Sequence, residues 1–420
     1  MTTRRRARLL TAAVSTLSLA GLARAAEVPA DAWPRFRGPA GTGEVKAGDV
    51  PTTWTPQKVV WRTELKGSGH SSPVVWGEKV FVTSAVDNGR QRLVVALDRA
   101  TGKVLWEQVA WTGNAEKSHK MNGWATPTCF TDGRHVWAFF GLGGAYCYTV
   151  DGKKVWSRDL GTFRSKTERG VAASPVVVGD VVVINGDSES DPYLFGLNKL
   201  TGEVVWKADR PKDEGYSTPV LLTVNGRQEM VLNGSDFIAA YDPVTGKELW
   251  RCKSFAGRGE PLPAVWQDKL LLVVNGLAGD VYAVRPGGSG DVTKSHLAWH
   301  TPRKQGRDEP SPVVVGDLLL VSNMSSVLTA YDAATGKELW REPLSEGKTQ
   351  VTAAPIAAGG KAYFVLENGE TVVVEPTAKA MKVVARNTVN AADGEVFRGS
   401  PAAVGGQVFL RSDKAVYCVK

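Results

Sequence analysis

One motif recurs along this chain and restricts its fold more than any other feature. A small residue and a proline open each copy. An apolar strand, a Gly/Asp turn and two further strands follow, and D-x-x-T-G-K-x-x-W closes it. Ser72–Trp106, Ser174–Trp206 and Ser311–Trp340 show the pattern plainly. The opening prolines are Pro73, Pro127, Pro175, Pro219, Pro263, Pro312, Pro355 and Pro401, spaced 43 to 54 residues apart. The closing tryptophans are Trp106, Trp156, Trp206, Trp250, Trp299 and Trp340. A self-similar period of this length means stacked supersecondary units, each burying its apolar face against the next.

Two defects in the series distinguish a ring from an open stack. The copy that starts at Pro401 ends at Lys420 after three strands. Val59-Val60-Trp61-Arg62 precedes the first opening proline and carries an orphan repeat tryptophan. A ring explains both: Trp61 supplies the fourth strand of the last unit, pairing near Val416 to Val419. Closure also removes an exposed sheet edge. The expectation is an all-β, eight-bladed β-propeller of four-stranded antiparallel blades. It spans residues 59–420, after a signal peptide (1–25) and an N-terminal arm (26–58).

Each repeated residue has a physical reason. Proline starts an innermost strand, where no ladder N–H is needed. Branched aliphatics suit strands packed on both faces. Asp caps the D-x-x-T-G turn with its side chain, and Gly takes the positive-φ position. The tryptophan buries a large apolar surface where blades meet. Full turns occur at Asp98/Gly102, Asn198/Gly202, Asp242/Gly246 and Asp332/Gly336. The second unit shortens the turn to Asp151-Gly152, the fifth inserts Gly287-Gly288-Ser289-Gly290, and the seventh is degenerate at Glu375-Pro376.

The N-terminus reads as an export signal. TRRRAR (3–8), an apolar run from Leu9 to Leu22 and Ala23-Arg24-Ala25 match the basic, apolar and cleavage regions of a secretory peptide. Sec export is expected, with a weaker twin-arginine pattern. No cysteine follows the apolar run, so no lipid anchor is expected, and no other segment is long enough to span a bilayer. Removing residues 1–25 lowers the formal charge from +8 to +3. No basic stripe argues for nucleic acid. Cys129, Cys147, Cys252 and Cys418 form no CxxC pair, which excludes heme attachment and zinc knuckles. They read as four buried, reduced thiols.

The repeat resembles the pyrroloquinoline-quinone (PQQ)-type propeller repeat, in which the fourth-strand tryptophan docks on the next blade. The resemblance covers about residues 59–420. The segment WPRFRGPAGTG (33–43) is similar to the N-terminal arm of exported BamB-like propellers. Two branches of the superfamily matter: quinoprotein alcohol dehydrogenases and the non-catalytic branch that includes the outer-membrane assembly subunit BamB. The chain lacks the adjacent Cys-Cys pair and heme domain of the dehydrogenases, and the lipid-acceptor cysteine of BamB.

Loops entering the innermost strands of a propeller ring one mouth of its channel, the default ligand site. They hold His70, Asn122, Trp124, Arg169, Tyr216, Glu260, Asp308, Glu309, Gln350 and Arg398. These are the candidate ligand-binding residues; the alternative is an ordinary solvated rim. No catalytic residue is assigned. Asp187, Glu189 and Asp191 form an acidic loop that reads as solvated, with Ca²⁺ binding as the alternative. Trp33, Arg35, Phe36 and Arg37 form a basic-aromatic arm that packs on the propeller or plugs a channel mouth.

The leading expectation is a monomeric, exported, non-enzymatic binding or scaffold module without cofactor. Its partner is another envelope protein or a small ligand at the mouth. The first alternative is a PQQ- and Ca²⁺-dependent dehydrogenase using Glu260, Asp308 and Asn122. The second is a polysaccharide binder using Trp124 and Tyr216.

Overall fold

The computed structural model describes residues 28–420 apart from 47–48, 165–166, 191, 214, 255–257, 275–278, 304–306, 308 and 348. The signal-peptide expectation lies outside the described residues. The described residues form eight antiparallel sheets arranged as an eight-bladed propeller, with four-residue Thr293–His296 as their one α-helix. Blades 1 to 7 run outward from the channel in chain order. Blade 1, for example, consists of Val74–Trp76, Lys79–Val86, Gln91–Asp98 and Val104–Thr112. Its two middle strands are buried along almost their whole length, whereas the outermost alternates between half-buried and exposed. Both faces of the middle strands lie against neighbouring blades, which is why they read as continuous apolar runs.

The ring closes with Val59–Glu64. This strand pairs with Ala415–Val419 as the fourth strand of blade 8, with Trp61 opposite Cys418 and Glu64 opposite Ala415. One apolar cluster joins blades 7, 8 and 1 through residues such as Tyr363, Phe409, Tyr417, Val82 and Leu93. Blade 7 ends in Met381–Asn387, without a tryptophan.

The tryptophans couple successive blades. The indole N–H of Trp61 donates to the Arg99 carbonyl (2.9 Å), Trp106 to Val150 (2.9 Å) and Trp156 to Lys199 (2.9 Å). Trp299 donates to Ala333 (3.1 Å) and Trp340 to Thr377 (2.7 Å). The turn glycine of the receiving blade faces the indole: a Cβ on Gly102, at φ +73°, would lie 2.6 Å from Trp61. Trp206 packs on Gly246 in the same way, with its N–H unpartnered. Trp250 departs from the pattern. Its N–H donates to Glu229 of its own blade (2.7 Å), because blade 5 carries the Gly287–Gly290 insertion where the turn carbonyl should be. Gly290–Asp291 instead pairs in parallel beside Trp250 and Arg251, as a fifth strand on blade 4.

A second belt of bonds runs round the channel. The amide before most opening prolines donates to a hydroxyl of the next blade: Ser72 to Thr128 (2.8 Å), Thr128 to Ser174 (2.9 Å) and Ser174 to Thr218 (2.8 Å). Leu262 donates to Ser311 (3.0 Å), Ala354 to Ser400 (2.9 Å) and Ser400 to Ser72 (3.0 Å). The belt is interrupted where Leu262 and Ala354 lack a hydroxyl. In blade 2 the belt residue is Thr128, after Pro127 rather than before it, so that proline is out of register with the others.

The arm threads the channel. Ala32–Trp33 pairs with the inner edge of blade 1, and Glu44–Val45 pairs in parallel with the inner edge of blade 7. Between them, the Pro34 carbonyl accepts from Thr131 of blade 2 (2.8 Å). Arg35 donates to the Pro219 carbonyl of blade 4 (2.8 Å) and Arg37 to the Pro312 carbonyl of blade 6 (2.7 Å). Trp33, Arg35 and Arg37 are 2%, 2% and 1% exposed. Of the two readings of the arm, the structure takes the plug.

A blind cup at the channel mouth

The loops that lead into the innermost strands surround a cavity of about 190 Å³. Its floor is Phe36 of the arm, seated within the hydroxyl belt of Ser72, Thr128, Ser174, Thr218, Ser311 and Ser400. The plug therefore converts a through-channel into a blind cup. Its wall carries three arginines from well-separated sectors: Arg169 before blade 3, Arg307 before blade 6 and Arg398 before blade 8.

Most of the charge on this wall is locally matched. Arg398 Nε donates to Glu367 Oε1 (2.8 Å), and its Nη1 donates to the Lys120 carbonyl (3.1 Å). Arg307 Nη2 lies 2.9 Å from Glu309 Oε1, and Arg258 Nε lies 3.5 Å from Glu260 Oε1. Burial raises the Glu309 carboxyl above its usual range, opposed by the guanidiniums of Arg307, Arg398 and Arg169. His119 is lowered by its own burial and by Arg169, Arg307, Lys120 and Arg398. The three arginines therefore act on the same small volume. Burial, reinforced by Arg398 and Arg411, pushes His70 down to about 3. At neutral pH it is an uncharged imidazole and a weak base.

His70, Asn122, Arg169, Tyr216, Glu260, Glu309 and Arg398 all line the cup. Trp124 does not: its indole covers Gly89 and donates to the Glu116 carbonyl (2.8 Å). Gln350 also lies off the cup wall, where its carbonyl accepts from the Glu367 amide. Asp308 and Asp191 lie outside the described residues. Asp187 is not a solvated loop carboxylate. It accepts two 2.8 Å bonds from Arg210, and both side chains are 4% exposed. Sequence reasoning named Phe36 only as part of the arm, and missed His119, Met121 and Arg307. Arg307 stands next to the acidic pair already singled out, but the other three reach the cup through arm and loop paths with no periodic signal.

Ca²⁺ with a quinone is the cofactor implied by one branch of the repeat superfamily. Among the described residues, no cluster of three or more His, Cys, Asp or Glu is placed to hold a metal ion. Glu260 and Glu309 each face an arginine, and a guanidinium competes with a cation for the same oxygens. The described donors do not fit a Ca²⁺ centre.

The profile of the family described as outer membrane protein assembly factor BamB matches residues 52–194 and 190–420, nearly all of the propeller. The chain belongs to this family. The Burkholderia pseudomallei BamB is 23% identical over 363 residues, covering 76% of this chain and 90% of that one. The Legionella pneumophila BamB is 26% identical over 202 residues, covering 47% and 49%. A tetrathionate hydrolase of Acidithiobacillus ferrooxidans is 25% identical over 294 residues, covering 64% and 53%. The match thus spans about half the length of the latter two relatives. Among solved structures, BamB from Moraxella catarrhalis superposes with a TM-score of 0.60 at 16% identity, covering 86% of this chain and 96% of that one. A europium-containing methanol dehydrogenase gives 0.56 at 13% identity, covering 91% and 89%. These two likenesses concern the fold.

Proposed function

We propose that this BamB-family propeller is an exported, non-enzymatic binding module of the cell envelope, and that the cup is its recognition site. The observation that supports this reading best is the plug. With Arg35 anchored on blade 4 and Arg37 on blade 6, the channel ends at Phe36, and what remains is a small basin of paired charges and hydroxyls. Such a basin suits a protruding polar side chain or loop of a partner. Chemistry on a buried substrate is less well served, because His70 is a poor base at its depressed value and both described carboxylates are engaged with arginine. The polymer-binding alternative loses one of its two aromatics, since Trp124 packs away from the cup.

A photo-crosslinking residue in place of Met121, on the cup wall, tests the reading in intact cells. The expected product is one envelope protein, identified by mass spectrometry, whose capture is abolished by Arg398→Ala. Indiscriminate labelling that is indifferent to Arg398→Ala would overturn it. So would turnover of alcohols or sugars by the purified chain supplied with PQQ and Ca²⁺.

A further inference from the structure

The plug holds a set of groups that the binding reading does not use. Arg35 and Arg37 are almost wholly enclosed. Each makes bonds only through Nη2: Arg35 to the Pro219 carbonyl, Arg37 to the Thr42 and Pro312 carbonyls. Arg35 Nε, Arg37 Nε and Arg37 Nη1 are buried without a hydrogen-bond partner, and so is the neighbouring Trp33 Nε1. All four are N–H donors, and the plug segment 32–45 contributes no unpartnered side-chain acceptor. Among the described residues, no carboxylate acts on either guanidinium. Burial alone lowers Arg37 to about 9 and Arg35 to about 10.

This combination is physically unbalanced. An isolated charge in a dry interior costs many kcal/mol, and buried charges are normally paired. Water would satisfy the donors but brings two protons of its own that need acceptors, and it carries no charge. An anion satisfies donors and charge together. The surroundings are tight: a Cβ on Gly41 would lie 2.7 Å from Arg35 Nη2, and one on Gly43 would lie 2.9 Å from Arg37 Nη2. Both glycines have positive φ, at +73° and +79°, so the backbone curls closely round the two side chains. The occupant must be small.

We propose that the channel plug is an anion-binding site, in which a chloride-sized inorganic anion is held by the unpartnered N–H groups of Arg35 and Arg37. The anion locks the arm in the channel, and so sets the floor of the cup through Phe36. This inference does not depend on what the cup binds.

Crystals of the chain grown or soaked in sodium bromide test it directly. The expected result is an anomalous peak within hydrogen-bond reach of Arg35 or Arg37 nitrogens inside the channel. Water density or no peak there overturns the proposal. In solution, the unfolding temperature should rise saturably with sodium chloride at constant ionic strength made up with sodium gluconate, since a ligand that binds only the folded state stabilises it by mass action. Arg37→Gln should abolish that chloride dependence. A chloride response unchanged in the variant also overturns the proposal. Should Arg37→Gln not fold, the bromide experiment on the unaltered chain decides.

Discussion

The indole N–H of Trp61 donates to the backbone carbonyl of Arg99 at 2.9 Å, across the seam between blades 8 and 1. The Arg99 guanidinium meanwhile holds both carboxylate oxygens of Asp31 at 2.9 Å and Gln407 at 2.8 Å. Arm, first blade and last blade therefore meet at one residue pair.

Trp61→Ala should open this seam. Replacing a buried tryptophan by alanine typically costs about 3–5 kcal/mol, and here the lost contact also holds the closing strand. Urea unfolding should shift to a clearly lower midpoint, with unfolding beginning at blades 8 and 1 in hydrogen exchange. A loss under ~1 kcal/mol, of the size seen at ordinary surface sites, would refute closure through Trp61.

The hydroxyl belt carries its own expectation. Ser400 accepts from the Ala354 amide and donates its own amide to Ser72. Ser400→Ala strands the Ala354 N–H in a buried site, which should cost roughly 1–3 kcal/mol. Ser400→Thr keeps the hydroxyl and should recover most of that loss. Equal destabilisation by both substitutions would show that volume, not the bond, matters at this position.

Acid stability should depend on His70. Its folded value of about 3 lies below its ordinary 6.5, so the fold favours the neutral ring. The corresponding stability is full above about pH 6.5 and is lost as pH falls toward 3. Denaturant midpoints measured through that window should fall less steeply for His70→Gln than for the unaltered chain. Identical slopes would place His70 outside the acid response.

The four cysteines are unbridged and buried. Burial pushes Cys129, Cys147 and Cys418 up to about 12 and Cys252 to about 11. An aromatic disulfide reagent at pH 8 should therefore label no thiol of the folded chain and four after denaturation, because the thiolate is the reacting form. Rapid labelling of any one in the native state would contradict this packing.

The blade code was legible because it is local. Asp98, Thr101 and Gly102 build their turn from side-chain and backbone bonds within five residues, and this repeats at Asn198, Asp242 and Asp332. Even the closure was readable, since an orphan Trp61 strand and a three-stranded last unit complement each other. The cup was legible only in outline. Loops of constant position delivered His70, Arg169 and Arg398 to it, but Trp124 also sits in such a loop and turns away to cover Gly89. Side-chain direction in an irregular loop depends on neighbours far along the chain.

The sequence by itself determined the number of blades, their strand order and the seam, because each rests on a repeated local pattern whose period survives without any coordinates. Only the tertiary structure decided that Trp33 to Val45 run inside the channel, that Arg35 and Arg37 lie buried there, and that the mouth is a blind cup. An arm that occurs once has no period to read. Its place is chosen by carbonyls such as Pro219 and Pro312, more than 180 residues away, which come within reach only when the ring has closed.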